Sequence, residues 1–240
     1  MHNPKHNTHM KKALVLNSGG VDSTTCVSIA IKDVGVENVT TVSVYYGQKH
    51  SKELECAEKV AQFYGIPHKV IDLSKTGIFD GSNCPLLAHS TDQVPDKSYA
   101  QQIAENGEGM VTTYVPFRNG LLLSSVAALA MAIYPKDDVD IYLGAHADDA
   151  AGRAYADCSD AFCKAMYDAI SIGTYEKVKV VAPLVNLNKA GVVKLGLELG
   201  TPYQLTWSCY KGGDKPCGTC GTCIDRAAAF AANGVADPAL

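Results

Sequence analysis

"LVLNSGGVDSTT", residues 14–25, is the stretch that decides the fold. An apolar run stops at Asn17, two glycines follow, and then comes Asp22 among hydroxyls at Ser18, Ser23, Thr24 and Thr25. Apolar residues that stop in glycine, with a helical pattern from Asp22 to about Ile31, read as strand, loop and helix. Gly19 and Gly20 let the backbone turn sharply and approach a ligand closely. The helix start presents unpaired N–H groups and the positive end of its dipole, which suits phosphate. Neither G-x-x-x-x-G-K-[ST] nor G-x-G-x-x-G is present, so the loop is not the common P-loop or a dinucleotide fingerprint. Asp22 would repel phosphate without a cation between them, which calls for Mg²⁺. A plain strand–helix turn capped by Asp22 or Ser18 would need only part of this string.

Outward from the loop, the chain alternates. Strands are predicted at 12–16, 39–46, 68–73, 140–145 and 178–183, and helices at 22–31, 51–64, 120–134, 159–171 and 188–199. Residues 74–111 hold Gly, Pro, Asn, Asp and Ser without a period, and read as an excursion over an active site with a short helix near 98–105. Strands alternating with helices imply an α/β fold, a doubly wound, mostly parallel sheet. Ligands then bind beyond the carboxyl ends of the strands, at residues 17–24, 45–51, 145–157 and 183–189.

Composition narrows the class. Of 240 residues, 47% are hydrophobic and 19% charged, which fits a folded enzyme and excludes a disordered chain. The net charge of -4 argues against broad binding to nucleic acid or anionic membranes. No apolar run approaches the ~20 residues of a membrane span. "MHNPKHNTHM", residues 1–10, has no apolar core for a signal peptide and reads as a flexible leader. Nine cysteines without a secretory signal point to a reducing, cytoplasmic setting. Residues 11–204 are expected to form the nucleotide-binding domain and residues 205–240 a small metal-binding segment packed on it.

Four cysteines cluster near the end: Cys209, then "KPCGTCGTC" with Cys217, Cys220 and Cys223. The spacing C-x₇-C-x₂-C-x₂-C suits one tetrahedral, structural Zn²⁺ per chain, with an iron–sulfur cluster as the rival.

The string S-G-G-V-D-S-T after a strand resembles the pyrophosphate loop of the PP-loop ATP-pyrophosphatase superfamily, which includes NAD synthetase, GMP synthetase and tRNA-thiolating enzymes. "YYGQKHSKE", "VPFRNGLLLS", "GAHADDAAGRAYADC", "TWSCYKGGDKPCGTCGTC" and "RAAAFAANGVADP" follow in order, and together they resemble the 7-cyano-7-deazaguanine synthase family. Two places depart from that family's pattern. Tyr155-Ala156-Asp157-Cys158-Ser159-Asp160-Ala161-Phe162 stands for its "YPDCRPEF", which leaves Ser159 in place of an arginine. Cys220-Gly221-Thr222-Cys223 stands for its C-D-S-C.

The resemblance implies an ATP-dependent C–N ligase that turns 7-carboxy-7-deazaguanine and ammonia into the nitrile through adenylated acid and amide. It also implies a homodimer with one zinc per subunit; Mg²⁺ is expected with ATP beside Asp22, and the acidic net charge leaves no stable nucleic-acid complex expected. The alternatives are an RNA-thiolating PP-loop enzyme, a relative that stops at the amide, and a nucleotide-binding module without turnover. Leu16, Asn17, Ser18, Gly19, Gly20, Val21, Asp22, Ser23 and Thr24 are expected to hold ATP, with Ser18, Asp22, Ser23 and Lys189 closest to the chemistry. Gln48, Lys49, Arg118 and Asn119 are further ATP contacts. Asp148, Asp149 and Asp157 are candidates for the guanine-like edge or for Mg²⁺. Tyr46, Phe117 and Tyr155 are candidates to stack on the purine.

Overall fold

The computed structural model describes residues 10–239, so residues 1–9 of the expected leader lie outside the described residues. The first half runs β1 (Lys11–Leu16), α1 (Val21–Val34), β2 (Val39–Tyr45), α2 (Lys52–Tyr64), β3 (His68–Asp72), α3 (Tyr99–Asn106) and α4 (Arg118–Ile133). The second half runs β4 (Asp138–Tyr142), α5 (Ala147–Ala150), α6 (Asp160–Gly173), β5 (Val178–Val181), α7 (Lys189–Glu198) and α8 (Gly221–Ala232). Short 3₁₀ turns join several of them.

All five strands are parallel, in the order β3-β2-β1-β4-β5. Leu16 pairs with Val42 on one side of β1, and Val15 with Tyr142 on the other. The pleat sends alternate side chains to opposite faces. Leu14 and Leu16 therefore join Val42, Val44 and Ile141 under α4 and α6. Ala13 and Val15 join Tyr142 under α1, α7 and α8. Each fully buried Val, Leu or Ile contributes about 1.5–3 kcal/mol relative to exposure, and β1 carries four buried apolar positions in a row, Ala13 to Leu16.

The order reverses between β1 and β4, since β2 lies on one side of β1 and β4 on the other. That is the switch point where the carboxyl ends of two strands diverge and open a crevice. The loop after β1 and the segment after β4 both enter it. Helix α3 is held by a capping box in which Ser98 and Gln101 satisfy each other's backbone N–H groups. α8 was not foreseen from the sequence. It begins at Gly221 inside the cysteine motif, where the sulfur ligands draw the reading away from the Ala-rich run that follows. Among the described residues, no helix is long and apolar enough to cross a membrane.

Candidate active site

A cavity of about 950 Å³ opens at the switch point. Its floor is the loop after β1. Helix α1 starts at Gly20 with no side chain capping its first turn, so that end of the helix is left to a ligand. The loop braces itself: Asn17 Oδ1 accepts the Gly19 N–H at 2.9 Å, and Ser23 Oγ accepts the Ser18 N–H at 3.1 Å. Leu16, Asn17, Ser18, Gly20, Val21, Asp22 and Ser23 line the cavity.

Two members of the expected cradle do other work. Gly19 has φ +80°, and a Cβ placed on it would lie 2.2 Å from the carbonyl oxygen of Glu53. Its glycine admits helix α2, and the close approach is to backbone. Thr24 is fully buried behind the loop, outside the cavity lining, and its N–H donates to the Gly20 carbonyl at 3.1 Å.

Asp22 meets a cation of the protein itself. Lys189 Nζ, at the start of α7, donates to both carboxylate oxygens at 2.7 and 2.6 Å. His146, in the segment after β4, stands with Nε2 3.8 Å from Asp22 Oδ2 and 3.3 Å from Asp149 Oδ2. Burial pushes the Asp22 carboxyl up, but Lys189 and then His146 outweigh it and hold the group below the ordinary carboxylate range. Burial raises Asp149 despite His146, and raises Asp225 on α8, which also lines the cavity. Asp148 accepts the Lys189 backbone N–H at 2.7 Å. The β4 segment comes this close because residue 144 is glycine; a Cβ there would lie 3.0 Å from the Ser23 nitrogen.

The other half of the cavity is aromatic. Tyr46 and Tyr155 line it as expected, joined by Tyr99 and Tyr210. Arg118 donates to the Tyr46 hydroxyl at 3.1 Å. The Tyr155 hydroxyl bonds to Thr113 and Tyr99. Gln48, Lys49 and Asn119 also reach the lining. The Gln48 carboxamide oxygen accepts the Tyr46 N–H at 2.8 Å, and Lys49 Nζ donates to the Asp92 carbonyl at 3.3 Å.

Phe117 and Asp157 stand apart from the cavity lining. Phe117 is exposed, in the left-handed region at φ 52°, with its ring edge-on to Phe162. Asp157 is buried, and its carboxylate accepts the Asn119 N–H at 2.9 Å, bracing the first turn of α4. Sequence reasoning missed His146, Glu53, Asp225 and Tyr210. His146, Glu53 and Tyr210 lay in quoted segments, where no pattern singled them out.

The sulfurs of Cys209, Cys217, Cys220 and Cys223 all lie within 4.8 Å of one another. Backbone N–H groups of Cys217 and Cys220 point at the sulfurs of Cys209 and Cys217, each at 3.3 Å. A tetrahedral ion with bonds of about 2.3 Å sets sulfur–sulfur edges of roughly 3.8 Å; Cys217 and Cys223 stand 3.9 Å apart. The donor set fits a metal ion. The segment also touches the loop, since the Trp207 N–H donates to the Gly19 carbonyl at 2.9 Å.

A parallel sheet of this order, with an uncapped glycine-bearing loop at its switch point, defines an α/β protein of the PP-loop kind. Residues 12–234 match the family described as "Queuosine biosynthesis protein QueC", and the chain belongs to that family. A 7-cyano-7-deazaguanine synthase of Archaeoglobus fulgidus is 43% identical over 95% of this chain and 90% of its own. One from Caldicellulosiruptor saccharolyticus is 42% identical over 95% and 94%. Among solved structures, the U34-tRNA thiolase NcsA from Methanococcus maripaludis with its 4Fe-4S cluster is similar at 18% identity and a TM-score of 0.47, over 93% of this chain and 66% of that one. NMN synthetase from Francisella tularensis gives 16% and 0.45, over 95% and 79%.

Proposed function

We propose that this chain converts 7-carboxy-7-deazaguanine to 7-cyano-7-deazaguanine with ammonia and ATP. The observation that carries the reading is 43% identity, along 95% of the chain, to a relative bearing the synthase name. The site supports it. The uncapped start of α1 offers its N–H groups to the phosphates, with Ser18 and Ser23 beside them. Asp22 would hold the Mg²⁺ that accompanies ATP, which would neutralise phosphate charge, and Lys189 would then turn from Asp22 to a phosphate oxygen. An acid oxygen attacks the α-phosphorus and pyrophosphate departs, leaving an acyl adenylate. Ammonia displaces AMP to give the amide. The amide oxygen is adenylated in turn, and loss of AMP and a proton leaves the nitrile. Fixed donors at the points where charge develops are worth a few kcal/mol each in such steps.

The same reading takes zinc for the cysteine cluster, because sulfurs within 4.8 Å enclose a single ion while a four-iron cube spreads its thiolates wider. It also takes a cytoplasmic homodimer, which light scattering tests. The test of function is incubation of purified chain with the acid, ammonia and Mg²⁺–ATP, with mass spectrometry of the purine. Nitrile supports the reading. Amide without nitrile redirects it to amide synthesis, and no change in any deazapurine removes it.

A further inference from the structure

Two opposite charges in the aromatic half of the cavity are unspent. Glu53, in the first turn of α2, lines the cavity, yet among the described residues its carboxylate receives no hydrogen bond and joins no ion pair. Arg118 lines the same wall, and the only hydrogen-bond acceptor of its guanidinium among the described residues is the Tyr46 hydroxyl. The two do not pair with each other. Glu53 is half-buried at the cavity wall, and a carboxylate there with no protein partner leaves both acceptor oxygens to a ligand. Burial pushes the Glu53 carboxyl up to about 7, even with Arg118 nearby.

The chemistry of the missing partner follows from the acceptor. A carboxylate has two acceptor oxygens and no donor, so it matches an edge with two adjacent N–H donors. A guanine-type base offers that edge in its ring N–H and 2-amino group. Adenine sets an acceptor nitrogen beside its amino group, and its lone pair would face the carboxylate. Tyr46 and Tyr210, whose hydroxyls feel the Glu53 charge, supply aromatic surface for a purine read this way. The other cavity carboxylates are engaged or stand elsewhere. Asp148 accepts the Lys189 N–H, Asp149 faces His146, and Asp225 sits among Lys189, Asp148 and His146 at the phosphate end.

We propose that Glu53 is the specificity-determining residue that reads the N–H and 2-amino edge of the deazapurine, and so tells it from the adenine of ATP in one shared cavity. The proposal rests on the function argued above and names the group that selects its substrate.

The experiment compares wild type with Glu53→Gln on 7-carboxy-7-deazaguanine and on its analogue lacking the 2-amino group, with binding by calorimetry and turnover by mass spectrometry. A well-made two-bond contact discriminates by about 1–3 kcal/mol, roughly 10- to 100-fold. Wild type should prefer the 2-amino base by that factor. E53Q should bind that base at least about 10-fold more weakly and lose most of the preference, with KM for ATP and the melting profile of a folded protein retained. A variant that keeps the preference overturns the proposal. So does one in which KM for ATP rises while the base is unaffected, which would put the carboxylate on the nucleotide. Wild-type protein that turns over no deazapurine removes the functional reading itself, a result separate from either of these.

Discussion

Lys189→Met tests the electrostatics at the heart of the loop. Lys189 Nζ reaches both oxygens of Asp22 at 2.7 and 2.6 Å, with side-chain exposures of 16% and 22%. Removing one partner of a buried pair costs about 3–5 kcal/mol; partial exposure reduces that to roughly 2–3 kcal/mol here. His146 Nε2, 3.8 Å from Asp22 Oδ2, is then the remaining nitrogen beside the carboxylate. For a chain of this length the loss lowers Tm by about 4–12 °C at pH 7. In the wild type the Asp22 carboxyl is held low, so its stabilisation is present above the unfolded value of about 3.9 and is lost as pH falls through the folded value. In the variant, burial governs and the carboxyl rises. Its charge then destabilises the fold at neutral pH and is relieved as it protonates. The gap between the proteins should therefore be widest at pH 7–8 and narrow toward pH 4. Thermal unfolding by circular dichroism across that range reads it, with Asp22→Asn/Lys189→Met as the control that closes the gap. A gap under about 2 °C at pH 7, or one flat with pH, would refute the argument.

Three further outcomes are expected. Cys220→Ser should lose bound metal by elemental analysis and unfold at lower temperature, because metal binding free energy is folding free energy; wild-type protein carrying iron with labile sulfide would displace zinc. Gly19→Ala places a Cβ 2.2 Å from the Glu53 carbonyl at a positive φ, so it should cost at least about 1–3 kcal/mol in chemical denaturation. It should also weaken ATP binding by calorimetry. In the ligand-free protein, Glu53 is raised to about 7, so its contribution to stability is lost as pH rises through that value. Glu53→Gln should then melt above wild type at pH 8 and converge with it near pH 4, read by the same thermal assay.

The parallel sheet was legible because the central strands are short runs rich in β-branched and apolar residues, followed by glycine or small polar residues, and helical periods lie between them. The strand-end rule placed the cavity on the right segments, and Asp22, Lys189, Tyr46, Arg118, Asp148 and Asp149 meet there. Side-chain direction was not legible. Asp157 follows the same strand end as Asp149, but a tight turn at 156–158 carries it under α4, where it braces a helix. Gly19 and Gly20 look alike in sequence; only the packing of α2 shows that the first admits a backbone and the second faces the cavity. Glu53 escaped notice because a glutamate in the first turn of a helix reads as an ordinary partner of the dipole. The cavity it lines is shared with Tyr46 and Tyr210, which lie far along the chain from one another.

In the proposed reaction both oxygens of the acid leave on AMP, one in each adenylation. The most direct measurement supplies 7-carboxy-7-deazaguanine with both carboxylate oxygens labelled as ¹⁸O, together with ammonia and Mg²⁺–ATP, and weighs the AMP, pyrophosphate and purine products. The expected products are nitrile without label, unlabelled pyrophosphate, and two AMP per nitrile, each carrying one ¹⁸O. Label released to water or phosphate, or ADP in place of AMP, would contradict it.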